Sequence, residues 1–374
     1  MKITSIARIS SVALASALAL SACGSETSGS DNSSSEASGG DSAASECGTK
    51  ALKAEGSTAQ DNAIQEAINS YGENCSDATV TYNGTGSGNG IKQFIAKQVN
   101  FAGSDSALKT KEKDGKIEVN EAKTACGSDA WNIPMVTGPI AVSYNLKDVK
   151  DPITLTPAVL ADIFNGKITK WNDPAIAKIN SGVTLPSKDI KVFFRSDESG
   201  TTENFTKYLN GAAKDNWTAE PAKKWTGKGE GKAKTAGVAS AVKSTDGGIT
   251  YAEWSAAQDN GLQVAKIDNG AGAVELTGES AGKAVEAAKI DGKGNDLRLK
   301  LDYTTKEKGT YPIVLVTYEI VCSKYADAET GKSVKAFLNH FASADVQKGL
   351  EEQGYAPLPS SVQEKVKTAV NAIK

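Results

Sequence analysis

Residues 313–321 form one continuous run rich in apolar and β-branched side chains, Ile-Val-Leu-Val-Thr-Tyr-Glu-Ile-Val. A half-exposed strand alternates apolar with polar residues, whereas a run like this belongs to a strand buried on both faces. Such a strand needs covering layers, and the rest of the chain supplies them. Residues 78–82 read as a strand, and residues 62–71 place Ile64, Ala67, Ile68 and Tyr71 at helical spacing. A helix is expected over 91–99. Another starts with Thr156 as cap and Pro157 in its first turn, passes Leu160 and Phe164, and stops at Gly166. A strand over 190–194 precedes a further turn and helix, and helices are expected over 333–343 and 361–373. The lysine- and glycine-rich stretch 223–248 reads as an exposed loop with part of a helix. The pattern is α/β alternation.

A chain of 374 residues is long enough for two domains, each with its own core. The amino end reads as a targeting segment. Lys2 and Arg8 form a positive region, residues 9–20 are a short apolar stretch, and Leu20-Ser21-Ala22-Cys23 is similar to the lipobox of bacterial lipoproteins. On this reading residues 1–22 are a signal peptide and Cys23 is acylated. Removing those residues takes away two bases and no acid, so the formal charge of −3 becomes about −5. Nothing in that balance suggests nucleic acid. Residues 24–46 contain no Lys, no Arg and no bulky apolar side chain, so they cannot offset their ordering entropy. Residues 23–48 are expected to be a flexible tether of about 25 Å root-mean-square reach.

Beyond Cys23, four cysteines remain: Cys47, Cys75, Cys126 and Cys322. An even number in an exported chain suggests two disulfides, and the sequence allows three pairings. Cys47 with Cys75 and Cys126 with Cys322 are favoured. The first would tie the starts of two successive strands, and the second would join the two places where the chain changes domain.

Three segments share one physical form. Gly56-Ser57-Thr58 opens the first helix, so its N–H groups and hydroxyls lie at a positive helix end. Thr85-Gly86-Ser87-Gly88-Asn89-Gly90 lies between strand and helix, where glycines let the backbone approach a ligand closely. Arg195-Ser196-Asp197-Glu198-Ser199-Gly200-Thr201 supplies a guanidinium fork and then a helix start. Each alone is an ordinary cap or turn. Three together suggest an anion site.

Gly56-Ser57-Thr58, Tyr82-Asn83-Gly84-Thr85-Gly86-Ser87-Gly88, Phe101-Ala102-Gly103-Ser104-Asp105, the Arg195 to Thr201 segment, Gly248-Ile249-Thr250-Tyr251-Ala252-Glu253, Tyr311-Pro312-Ile313 and Gly354-Tyr355-Ala356-Pro357-Leu358-Pro359 together resemble the phosphate-binding proteins of bacterial ABC-type phosphate importers. The resemblance covers nearly all of residues 50–365. It implies a type II periplasmic-binding-protein fold, with two mixed α/β lobes joined by a two-crossover hinge. One lobe would comprise 49–140 plus 312–374 and the other 141–311, with phosphate in the cleft. The implied ligand shell is Thr58, Ala59, Ser87, Asp105, Arg195, Ser199, Gly200 and Thr201, with Asp197 orienting Arg195. Ala59-Gln60 departs from the family's usual aromatic residue and proline, although a backbone N–H survives there. The implied partners are inorganic phosphate, the permease subunits of an importer, and the outer face of the cell membrane through the anchor at Cys23. No cofactor is implied.

Enzymatic readings lack residues. The single histidine, His340, lies in a C-terminal helix far from every candidate serine. Neither Ser87 nor Ser199 lies in Gly-x-Ser-x-Gly. Gly331-Lys332-Ser333 lacks the upstream glycine of a P-loop, because Ala326 stands there. The remaining alternative is a surface phosphatase-like or adhesion protein on the same fold.

Overall fold

The structure is a computed structural model that describes residues 47–112 and 115–374. The expected signal peptide, Cys23 and nearly all of the tether lie outside these residues. Among those described, no helix is long and apolar enough to cross a membrane.

Strand Val314–Cys322 is buried on both faces, as its composition requires. It is central in a mixed sheet ordered Val80–Gly84, Leu52–Gly56, Phe101–Ser104, Val314–Cys322, Ala130–Asn145, Gly248–Glu253, Lys191–Arg195, Glu230–Lys232. The first three strands are parallel to one another, and Val314–Cys322 runs antiparallel to both of its neighbours. Ala130–Asn145, 16 residues long, has no counterpart in the sequence expectations. Pro134 and Pro139 interrupt its pattern, because proline cannot donate to a sheet ladder. Both prolines fall at irregularities. Pro134 lies where the register with Val314–Cys322 shifts, and after Pro139 the strand changes partner from Val314–Cys322 to Gly248–Glu253.

Two large cores flank this change of partner. Phe101, Tyr71, Phe337 and Phe341 anchor one of them. Tyr144, Phe164, Trp171, Phe205, Trp217 and Tyr251 anchor the other, where the Phe205 and Tyr251 rings stack at 4.5 Å. The fold is therefore two-lobed and mixed α/β, with Ala130–Asn145 and Val314–Cys322 reaching from one core toward the other. Leu297, between strands Lys289–Ile290 and Leu299–Lys300, packs into the Phe101 core.

The disulfides are Cys47–Cys75 and Cys126–Cys322, with Cα atoms 5.5 and 5.4 Å apart. The second does not join the domain crossovers. It closes the opposite ends of the two long strands, since Cys322 pairs with Ala130, far from Pro139.

Several helix bounds move. The helix expected over 91–99 is Ser87–Ile95, so four of the six residues of the glycine-rich segment form its first turn. The 223–248 stretch contains helix Lys234–Ser244, whose Thr235, Val238, Ala239 and Val242 are buried. Thr156 caps its helix as expected, its hydroxyl accepting the Val159 N–H. His340 is buried against Tyr71, and its Nε2 lies 2.8 Å from Ser70 Oγ.

Candidate functional site

The three segments meet. Gly56 ends a strand, Ser87 begins a helix, Ser104 ends a strand, and Arg195 ends another whose chain turns into helix Gly200–Ala212. Thr58, Ala59, Ser87, Asp105, Arg195, Ser199, Gly200 and Thr201 are all buried. Gly200 has to be glycine, because a Cβ there would lie 2.5 Å from Asp105 Cβ and 2.6 Å from Ser87 Oγ. Gly86, at φ +94°, likewise faces Asp197 Oδ2 at 2.8 Å from where its Cβ would be. The second and third segments therefore touch through backbone.

Asp105 is the centre of one wall. Ser57 Oγ and Thr317 Oγ1 (2.8 Å) donate to its Oδ1, and Ser87 Oγ donates to Oδ2 at 3.0 Å. Burial pushes its carboxyl up to about 6, against the pull of the Ser57, Thr317 and Ser87 hydroxyls and with a push from Glu253. An ionised carboxylate offers about four acceptor positions, so three hydroxyls leave one, on Oδ2.

Arg195, 2 % exposed, faces this wall from the third segment. Its Nε and Nη2 donate to Asp197 at 2.8 and 2.6 Å, an orienting fork of the kind expected. Burial is the largest influence and opposes its charge, but Asp197, Glu253 and Tyr251 together outweigh it, so its pKa is raised. Nη1 remains directed at Thr235 (3.2 Å) and Thr201 (3.5 Å). Ser199 caps the helix by accepting the Thr202 N–H at 3.2 Å. The Ala59 N–H donates to Ser57 Oγ at 3.0 Å.

Sequence reading missed four members of this cluster. Thr235 bridges Thr58 (2.8 Å), Arg195 and Glu253 (2.7 Å). Buried Glu253 also accepts from Thr201. Thr317 holds Asp105, and Asn204 Nδ2 donates to the Asp105 carbonyl at 2.7 Å. Glu253 closes one of the quoted family stretches, and Thr317 is a polar residue inside an apolar run. Those were the available signals.

Glu319, 0 % exposed, stands in the same run behind Asp105. Burial pushes its carboxyl up to about 8, opposed by the neighbouring Gln60 amide and helped by the Asp105 charge. Among the described residues no well-aligned hydrogen bond reaches either Glu319 oxygen or either polar atom of the Gln60 side chain. The contact between them is thus poorly aligned.

Hydroxyls, helix starts and one guanidinium opposite one carboxyl can hold a tetrahedral oxyanion that still carries a proton. A family model described as a PBP superfamily domain matches residues 41–345. The chain is 45% identical to phosphate-binding protein PstS3 of Mycobacterium bovis, over 100% of both chains. It is 45% identical to phosphate-binding protein PstS 2 of Mycobacterium tuberculosis, over 97% of both. A solved high-affinity periplasmic phosphate-binding protein with bound phosphate matches the fold at a TM-score of 0.69 and 21% identity, covering 85% of this chain and 93% of that one.

Proposed function

The chain belongs to the phosphate-binding proteins of the PBP superfamily, and from that premise we propose that it captures inorganic phosphate outside the cytoplasmic membrane and delivers it to an ABC-type importer. It acts as a binding protein rather than an enzyme, held to the membrane by a lipid on Cys23.

One observation carries the reading. Asp105 keeps one acceptor position while three hydroxyls hold its other three, and Arg195 stands opposite with Nη1 turned toward the same cluster. Dihydrogen or monohydrogen phosphate has oxygens for Arg195 and a proton for Asp105, whereas sulfate has only acceptors. We assign ligand contacts to Thr58, Ala59, Ser87, Asp105, Arg195, Ser199, Gly200 and Thr201. The Ala59 contact is through its backbone N–H, which in this structure donates to Ser57 Oγ.

The lobes in this reading are 49–140 plus 312–374 and 141–311, supported by the change of strand partner after Pro139. Ser87 and Asp105 then belong to one lobe and Arg195 to Thr201 to the other. The ligand is fully surrounded only when the lobes close, and closure is what an importer can sense.

Calorimetric titration of phosphate-stripped protein with phosphate, arsenate, sulfate and a phosphoester tests this. Phosphate is expected to bind far more tightly than sulfate or the ester. Tighter binding of either would overturn the assignment, and turnover of a chromogenic phosphoester would favour the phosphatase-like alternative.

A further inference from the structure

Ion pairs gather beside the cleft, outside the groups assigned to phosphate. Glu203, 5 % exposed, lies in the first turn of helix Gly200–Ala212 next to Thr201. Lys207 Nζ is 3.2 Å from its Oε1, and Lys109 and Lys223 Nζ are 3.5 and 3.9 Å from its Oε2. Lys207 and Lys223 share the second lobe with Glu203. Lys109 comes from the first lobe, shortly after Asp105, where Leu108 packs into a core with Ile91 and Phe94.

The exchange is crossed. Lys223 of the second lobe lies 3.6 Å from Oε1 of Glu118, which opens a first-lobe helix, and Glu118 Oε2 accepts the Lys109 backbone N–H at 2.9 Å. A pair nearer solvent, Lys92 with Glu198 at 2.5 Å, spans the same gap. These groups are tied to the ligand segments through backbone. The Lys223 carbonyl accepts the Ser199 N–H at 3.0 Å, and the Glu198 carbonyl accepts the Gly88 N–H at 3.0 Å.

Exposed ion pairs add little to stability, but Glu203 and Lys223 are largely withdrawn from water, where a partner matters more. The Glu203 carboxyl is held at about 2, its burial outweighed by Lys207, Lys223 and Lys109. Opening the lobes separates Lys109 from Glu203 and Lys223 from Glu118. The pairs thus differ between open and closed states, and only such a difference shifts that equilibrium.

We propose that Lys109, Glu203, Lys223 and Glu118 form an interlobe latch that sets how long phosphate is retained without touching it. The latch presupposes that the neighbouring cleft binds phosphate. Because it forms after encounter, it acts on dissociation rather than association.

Chase of radiolabelled phosphate from purified full-length protein measures this. Lys109→Gln and Lys223→Gln are each expected to speed release about threefold to tenfold with association unchanged. Lys109→Arg should release at the wild-type rate. Lys170→Gln, which breaks a pair with Asp189 inside one lobe (2.9 Å), should also leave release unchanged. Melting of the phosphate-free protein should not move in Lys109→Gln, whereas a purely structural lysine would lower it. Wild-type binding with wild-type release rates in both Gln variants overturns the latch and leaves phosphate binding intact. Failure of the wild type to bind phosphate overturns both.

Discussion

A carboxylate repels an anion at short range, so Asp105 is tolerable in this cleft only if the ligand brings a proton to it. Sulfate would strand the remaining acceptor position on Oδ2, and sites built around a ligand hydroxyl reject analogues lacking it by about 10⁴–10⁵-fold. Asp105→Asn keeps the shape but donates. Its phosphate-to-sulfate affinity ratio should fall at least about tenfold by calorimetry, and an unchanged ratio in a folded variant would place selectivity elsewhere. Acidity gives a second test. With its pKa pushed up to about 6, Asp105 is neutral in the phosphate-free protein below that pH and must lose a proton to accept one. Wild-type phosphate affinity should therefore fall as pH drops below about 6, by up to about tenfold per unit, and Asp105→Asn should lack that component. Arg195→Ala removes the buried cation assigned to the ligand. At about 1.5–3 kcal/mol for a charge-assisted bond, the dissociation constant should rise more than about tenfold; a rise below threefold would remove Arg195 from the site. Arg195, Asp105 and Ser87 were read as ligand candidates because each sits in a short segment whose local form already suits an anion. Thr235 and Thr317 were not, because only the fold brings them to Arg195 and Asp105.

At the level of elements, strand Val314–Cys322 shows how composition can predict burial and hide a conflict. Glu319 is a carboxyl in a strand that is buried on both faces. Its ordinary pKa of 4.5 rises to about 8 through burial. Between those values the folded chain holds a proton that the unfolded chain has lost, so stability falls with rising pH, by about 1.4 kcal/mol per unit. Glu319→Gln removes this contribution. In the phosphate-free protein its melting temperature should drop less than that of the wild type between about pH 5 and pH 8. Parallel profiles would mean that Glu319 is not neutral. The neighbouring Ala130–Asn145 escaped sequence reading for the opposite reason: its prolines argue against a central strand, and they are accommodated only where the ladder shifts or changes partner.

For the molecule as a whole, the two disulfides close loops of very different length, with sequence separations of 28 and 196. In the chain-entropy model the longer loop contributes about 1.7 kcal/mol more. Denaturant unfolding should show Cys126→Ala with Cys322→Ala costing more than Cys47→Ala with Cys75→Ala, and the reverse order would show that native packing outweighs the unfolded-chain term. The long bridge also pins the ends of the two strands that run on toward the other core, at a distance from Pro139 where their partners change.

By itself the sequence determined the α/β class, the buried strand and the anion-suited segments, because each depends on periodicity, local backbone preference or composition within a short window. Tertiary structure alone decided which residues complete the site. Thr235, Glu253 and Thr317 come from distant stretches, and the crossed pairing of Lys109, Glu118, Glu203 and Lys223 depends on two surfaces meeting. Hydroxyls and charges have no periodic signature, and their partners are chosen by the packing of apolar faces elsewhere in the chain.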